Sequence, residues 1–399
     1  MAAFLDHTSE LESPTTYLRW AGLSTIAAVA QRKIFRDTQA YTVYPNMYVW
    51  LVGPAGTKKS TAIRAGRRLL TPGGNPLPGV YLSSDAPSVV GIMKDFQDIA
   101  TVQKDHQSLN AFMWELSTLF ENASETMTGF LTAIYDGDAG YSKRTRIGEK
   151  ESIPYPWCNL IAGTTPRWLG DNLSKNAVEG GLVARTLPVF SDEQSFDSPE
   201  PDVNSEFLKR EATLTHDLAH MLPLTGQFDW EGGRVKHPGN KACGDFAESC
   251  GCGDAYRWYD TWYRNKERMP RIPDSRTQGY FVRKPMHLLK VAMCLSLARR
   301  DTKVFTADDL TTALALLDSI EGGMKRAFSA VGTNPYATDL ERIHFQIRSA
   351  GKISLAELAA ANYHNLDEQK FQLTMKSLET LGYVKKVIGD GGVLYIAAD

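Results

Sequence analysis

Five residues in the first half of this 399-residue chain have the types and order needed to move a phosphoryl group. They are Lys59, Ser60, Glu115, Thr164 and Arg185. Lys59 and Ser60 close the stretch MYVWLVGPAGTKKST, in which an apolar run breaks at Gly53, Pro54, Ala55 and Gly56 and continues through Thr57, Lys58, Lys59, Ser60 and Thr61. A strand, a glycine loop and a helix start in that order make a phosphate cradle. Backbone N–H groups and the helix N-terminus face the β- and γ-phosphates. Lys59 would reach the β/γ oxygens and Ser60 would ligate Mg²⁺. The usual pattern is G-x-x-x-x-G-K-[ST], and here Lys58 stands where the glycine before the lysine is expected.

The other three residues lie at the ends of later apolar runs. NAFMWE (Asn110–Glu115) reads as a strand ending in a carboxylate that would polarise an attacking water. The expected place for it is the strand beside the loop strand. Trp114 occupies the position where an Asp would support Mg²⁺. CNLIAG (158–163) reads as a buried strand with Thr164, or next Thr165, at its tip to hold water or the γ-phosphate. Arg185 precedes the run Thr186–Phe190, where it would be presented to a neighbouring subunit's phosphate.

The surrounding elements follow from periodicity and breakers. A helix is expected from Thr15 to Arg36, and another after Ser60 with basic residues Arg64, Arg67 and Arg68. Tyr141–Ile147 pairing with Glu151–Tyr155 across 148–150 predicts a hairpin. Its Lys143, Arg144, Arg146 and Lys150 suit the phosphate backbone of DNA. Ser191–Ser205 is an acidic, Pro-containing linker, and the chain beyond it is mostly helical. There Arg283 or Lys284 would contact nucleotide from a lid. Three helices and a two-stranded wing are expected from 338 to the end, a winged helix. The predicted divisions are an N-terminal helical segment (1–46), a nucleotide-binding core (47–203), a helical lid (204–332) and the winged helix (338–399).

Composition sets outer limits. A formal net charge of −2 confines any nucleic-acid site to a local patch. The start carries no secretory pattern and no apolar run is long enough for a membrane helix, so a cytoplasmic protein with no membrane partner is expected. Five cysteines fit a reducing compartment. His237, Cys243, Cys250 and Cys252 could form a zinc site, but their spacing matches no standard paired knuckle, and free thiols in a helical region are the expectation.

In order and spacing these pieces resemble a family of phage and plasmid replication ATPases related to superfamily 3 and AAA+ helicases. The resemblance rests on PNMYVWLVGPAGTKKST, the strand ending in Glu115, YSKRT, LIAGTTPRWL and GGLVARTLPVF, and spans about Pro14 to Glu193. HLLKVAMCLSLARR with TADDLTTALALL is similar in style to lid helices of minichromosome-maintenance ATPases. The resemblance implies an α/β P-loop NTPase core with a helical lid and a C-terminal winged helix. It also implies ATP and Mg²⁺ as ligands, a homo-oligomeric and commonly hexameric ring, and translocation on single-stranded DNA in a bacterial host. Other replication proteins would meet the winged helix. A non-processive initiator or helicase loader, and a defence or signalling ATPase, are the alternatives. Lys58 and Trp114 depart from the family pattern, which bears on hydrolysis rate more than on nucleotide binding.

Overall fold

The runs of consecutive apolar residues form a parallel sheet. Buried on both faces, such strands need no alternation. In the computed structural model the described residues are all but 86, 121–123, 138, 145–149, 174–176, 178–180, 195–203, 238, 240, 266–268, 271–273, 332–336, 390–391 and 399. Five strands make the sheet: β1 (Tyr48–Val52), β2 (Tyr81–Leu82), β3 (Gln107–Met113), β6 (Pro156–Thr164) and β7 (Thr186–Phe190). They lie in the order β2-β3-β6-β1-β7, all parallel. The protein is therefore mixed α/β. Every residue of β1, β3 and β6 is buried. In register, Tyr48 faces Leu160 and Thr186, and Val52 faces Thr164 and Phe190, so these strand tips end level.

The order corrects one expectation. Strand β3, which leads to Glu115, is not beside the loop strand; β6 lies between them. β3 also ends at Met113, leaving Trp114 and Glu115 in the connection that follows.

Helix α1 (Thr15–Ala30) is buried at every residue from Trp20 to Ala30, so it is a core helix rather than an amphipathic cover. It stops short of the expected Arg36 because Gln31 takes φ 55°, and Ile34–Asp37 continues as a strand. Arg36 lies in that strand, donating to the Phe228 carbonyl at 2.8 Å and pairing with Asp229. Helix α2 (Lys59–Leu70) crosses α1 closely at Gly66, where a Cβ would meet Thr25 Oγ1 at 2.5 Å. Helices α3 (Val89–Val102) and α4 (Ser124–Ile134) follow, then α5 (Ser205–Met221), α6 (Asp254–Arg264), α7 (Gln278–Arg300) and α8 (Ala307–Ala327). One hydrophobic core runs from Phe4 to Met324, so the divisions expected at 46/47 and 203/204 do not separate compact units. No helix among the described residues is long and apolar enough to cross a membrane.

The hairpin is shorter than expected. β4 (Tyr141–Arg144) pairs antiparallel with β5 (Lys150–Ile153), with Lys143 opposite Glu151 and Arg144 opposite Lys150. Lys150 therefore begins the second strand instead of lying in the turn, and Arg146 is outside the described residues.

A second compact unit comprises Pro166–Asn172 and Lys325–Asp399. It holds α9 (Ala337–Ala350), β10 (Ile353–Ser354), α10 (Leu355–Asn362), α11 (Glu368–Thr380), β11 (Val384–Gly389) and β12 (Gly392–Ala397). The three strands form an antiparallel sheet in the order β10-β12-β11. Its own core packs Ile343, Ile347, Leu358, Phe371 and Leu378. Ser354 caps α10 and Asp367 caps α11, each side chain accepting from a backbone N–H in the first turn.

Candidate nucleotide site

The loop between β1 and α2 is built by close approach. A Cβ on Gly53 would lie 2.3 Å from the Ser191 carbonyl and 2.4 Å from the Tyr17 hydroxyl, so only glycine fits there. Gly56 takes φ +87°, which L side chains avoid. The Tyr17 hydroxyl lies 2.7 Å from the Val52 carbonyl and 2.8 Å from that of Ser191, and the Ser191 N–H donates to it at 3.2 Å. This buried phenol joins the tips of β1 and β7 directly beneath the loop. Replacing Gly53 by alanine is expected to cost about 1–3 kcal/mol of stability. Thermal unfolding checks it, and an unchanged midpoint would refute the close packing.

Lys58 explains how the loop tolerates its departure from pattern. It sits in the left-handed region at φ 53°, ψ 32°, which is why glycine is usual at this place. Two contacts hold the strained residue. The Ser13 hydroxyl donates to the Lys58 carbonyl at 3.0 Å, and Glu12 pairs with its ammonium at 3.0 Å.

Lys59 is buried and folded onto its own loop. Its Nζ donates to the carbonyls of Gly53 (2.9 Å) and Pro54 (2.8 Å) and to Thr57 Oγ1 (3.2 Å). Burial lowers its pKa to about 8, and the Glu115 carboxylate facing it works in the opposite direction. Ser60 is exposed on the first turn of α2. Pro54, Ala55 and Thr61 complete the loop around it.

Glu115 is exposed just past β3, with Thr118 Oγ1 donating to its carbonyl at 2.8 Å. Thr164 ends β6 with its side chain buried. Its carbonyl accepts from the Gly53 N–H at 3.2 Å, and its Oγ1 has no hydrogen-bond partner among the described residues. Leaving a buried hydroxyl unpaired costs about 1–3 kcal/mol, so a hydrogen-bonding group brought to this tip would be held there. Gly163 was not singled out from sequence, yet it lets these groups converge. A Cβ there would lie 2.6 Å from the Trp114 carbonyl and 3.4 Å from Lys59 Cβ. A glycine one residue from the end of a buried strand was the available signal. Trp114 itself lies under the guanidiniums of Arg64 (5.6 Å) and Arg67 (5.3 Å), so the indole is held by α2.

The structure thus brings Lys59, Ser60, Glu115 and Thr164 to the carboxyl ends of neighbouring strands, where ligands of open α/β sheets bind. It does not bring Arg185 or Arg283 there. Arg185 precedes Thr186, which pairs with Tyr48 at the amino end of β1. Its guanidinium pairs with Asp136 at 2.8 Å, and Arg283 pairs with the same carboxylate at 2.9 Å. Burial pushes Asp136 up, but Arg283 and Arg185 outweigh it and hold the carboxyl below its usual range. Within one chain, Arg283 is therefore no lid contact to the loop. Lys284, the alternative, is buried between Asp318 and Glu321, at 2.6 Å from each. Lys143 is exposed on the hairpin.

The cysteines are free thiols, as expected, and three of them lie together with a histidine. His237, Cys243, Cys250 and Cys252 are gathered, with their ligand atoms within 4.8 Å of one another. No known family model matches this chain, and no curated protein matches it in sequence.

Proposed function

We propose that this protein is an ATP-driven DNA helicase or translocase of a phage or mobile-element replication system, acting as an oligomeric, hexameric ring on single-stranded DNA. The carrying observation is the convergence of the Lys59 loop, Glu115 and the unpartnered Thr164 hydroxyl at one end of a parallel sheet. That arrangement supports a P-loop NTPase core.

Lys59 would leave the Gly53 and Pro54 carbonyls for the β/γ-phosphate oxygens. Ser60 would hold Mg²⁺, which when bound neutralises charge on those oxygens. Glu115 would polarise the attacking water, and Thr164 would hold it or the γ-phosphate in line. Arg185 faces away from its own loop, which favours action on a neighbour's phosphate and hence an oligomer. Arg283, on the same carboxylate, would lie at the same subunit boundary. The helix–wing unit supports the winged-helix reading, with DNA or a partner protein as its contact.

Lys143, with Arg144, Arg146 and Lys150, would track the DNA backbone. Neutralising Lys143, Arg144 and Arg146 together is expected to lower the slope of log affinity against log salt by about 2 for a single strand. ATPase assays with and without single-stranded DNA, and unwinding of a forked duplex, test the whole reading. Stimulation and unwinding support it; hydrolysis indifferent to DNA, with the fork intact, overturns it. One observation favours the second reading, a non-processive initiator or loader. Trp114 fills the place of the second metal-supporting acid, leaving Mg²⁺ to Ser60 and water and favouring slow turnover.

A further inference from the structure

The chain between β8 (Asp229–Trp230) and α6 holds a cluster that the nucleotide chemistry does not use. His237 Nε2 lies 3.2 Å from Cys250 Sγ, 3.7 Å from Cys243 Sγ and 3.6 Å from Cys252 Sγ. A tetrahedral Zn²⁺ with Zn–S ~2.3 Å and Zn–N ~2.0 Å requires S···N edges of about 3.6 Å. All three cysteines are free and buried.

The backbone is shaped around this point. Cys243–Cys250 forms a run of 3₁₀ turns eight residues long, although such runs seldom exceed 3–4 residues. A straight run would separate its ends by about 14 Å. Here the two terminal sulfurs come within 4.8 Å, so the turns curl around a centre. Gly251, at φ +66°, then reverses the chain so that Cys252 points back to the same centre.

The supporting contacts also suit thiolates. The Val235 N–H donates to Cys252 Sγ at 3.1 Å. The Cys243 N–H donates to Asp260 of α6 at 2.8 Å, and Arg264 holds that carboxylate at 2.9 Å. Phe246 stacks on the His237 ring with centroids 4.3 Å apart. Such outer contacts orient metal ligands. Among the described residues the cluster's apolar company is Phe246 and Tyr256, too little to hold a loop of this length by burial.

We infer that His237, Cys243, Cys250 and Cys252 bind one Zn²⁺ in a closed, structural Cys₃His site that fastens the 231–253 segment to α6. Four protein ligands leave no open position, so the ion does not act on substrate. Binding deprotonates the thiols and releases their protons to solvent, with no change in oxidation state. The assignment is independent of the nucleotide reading.

The full-length protein, purified without chelator, is expected to carry one zinc per chain by atomic emission. After exchange, Co²⁺ should give intense thiolate-to-cobalt absorption. Cys250→Ser and Cys252→Ser should each reduce bound zinc at least tenfold. Stripping the metal should open the exposed Arg234, Lys236 and Lys241 to trypsin. Should a variant fail to fold, the Co²⁺ titration of the unaltered chain still decides. Absence of both zinc and the cobalt band from reduced protein overturns the site. So does an iron–sulfur chromophore, or a disulfide among the three cysteines.

Discussion

Replacing Lys59 by alanine is expected to lower ATP turnover by at least about a hundredfold, the usual cost of one preorganised charge-stabilising donor. The protein should remain folded. Among the described residues the Lys59 ammonium hydrogen-bonds only within its own loop, to the Gly53 and Pro54 carbonyls and Thr57. A circular dichroism melt separates loss of function from loss of fold, and an unaltered rate would remove the phosphate-loop assignment. The pH dependence has a definite sign. With a pKa of about 8 in the free protein, Lys59 loses its proton as pH rises through 8, and affinity should fall there. A bound polyphosphate favours the charged ammonium, so above pH 8 binding should take up protons. Calorimetry in buffers of different ionisation enthalpy would detect that uptake. Fold stability moves oppositely: between pH 8 and the unfolded lysine's ordinary value the unfolded chain binds the extra proton, so stability rises with pH.

The second large effect concerns Arg185. An arginine finger contributes about 10³–10⁵ in rate, so Arg185→Ala should hydrolyse ATP at least about a thousandfold more slowly while still binding it. Mixing Arg185→Ala with Lys59→Ala protein should restore part of the activity, because a mixed interface can join an intact loop to an intact arginine. No recovery on mixing, with wild-type rates for Arg185→Ala alone, would make the residue purely structural. Asp136→Asn is the control. It loosens the same ion cluster without removing the guanidinium, so equal losses in both variants would also point to structure. Because both arginines hold Asp136 below its ordinary range, their contribution to stability persists at neutral pH and fades only in acid.

Local signals carried much of the reading. The loop is punctuated by Gly53, Pro54 and Gly56, and β7 occupies Thr186–Phe190 as expected because Arg185 and Ser191 bound a short apolar run. Signals from distant partners were invisible. β3 ends at Met113 rather than at the acid because the Leu116 N–H turns to the Gly163 carbonyl at 2.7 Å, a contact no window around Glu115 contains. The end of α1 depends on one backbone angle at Gln31, at a place where neither Gly nor Pro marks a stop. Asp136 meets its arginines across 49 and 147 residues, so nothing local singled it out. The His237, Cys243, Cys250 and Cys252 group was legible as a possible zinc site but ranked below free thiols, because its spacing matches no standard knuckle. Five residues separate His237 from Cys243, six separate Cys243 from Cys250 and one separates Cys250 from Cys252. Only the curled 3₁₀ turns make that spacing converge.

The position of β1 has a consequence for synthesis. Both of its partners, β6 and β7, lie more than a hundred residues downstream. At about 5–20 residues per second, the five-residue segment YVWLV emerges from a ribosome roughly 5–20 s before anything can pair with it. Such a segment is apolar, uncharged and rich in β-formers, the composition of an aggregation nucleus. The Lys58–Lys59 pair, six and seven residues beyond its end, acts as a charged gatekeeper during that interval. The same lysines that would meet phosphate in the finished protein thus guard the nascent chain, and yield on expression should depend on temperature and translation speed more than the folded core's stability suggests.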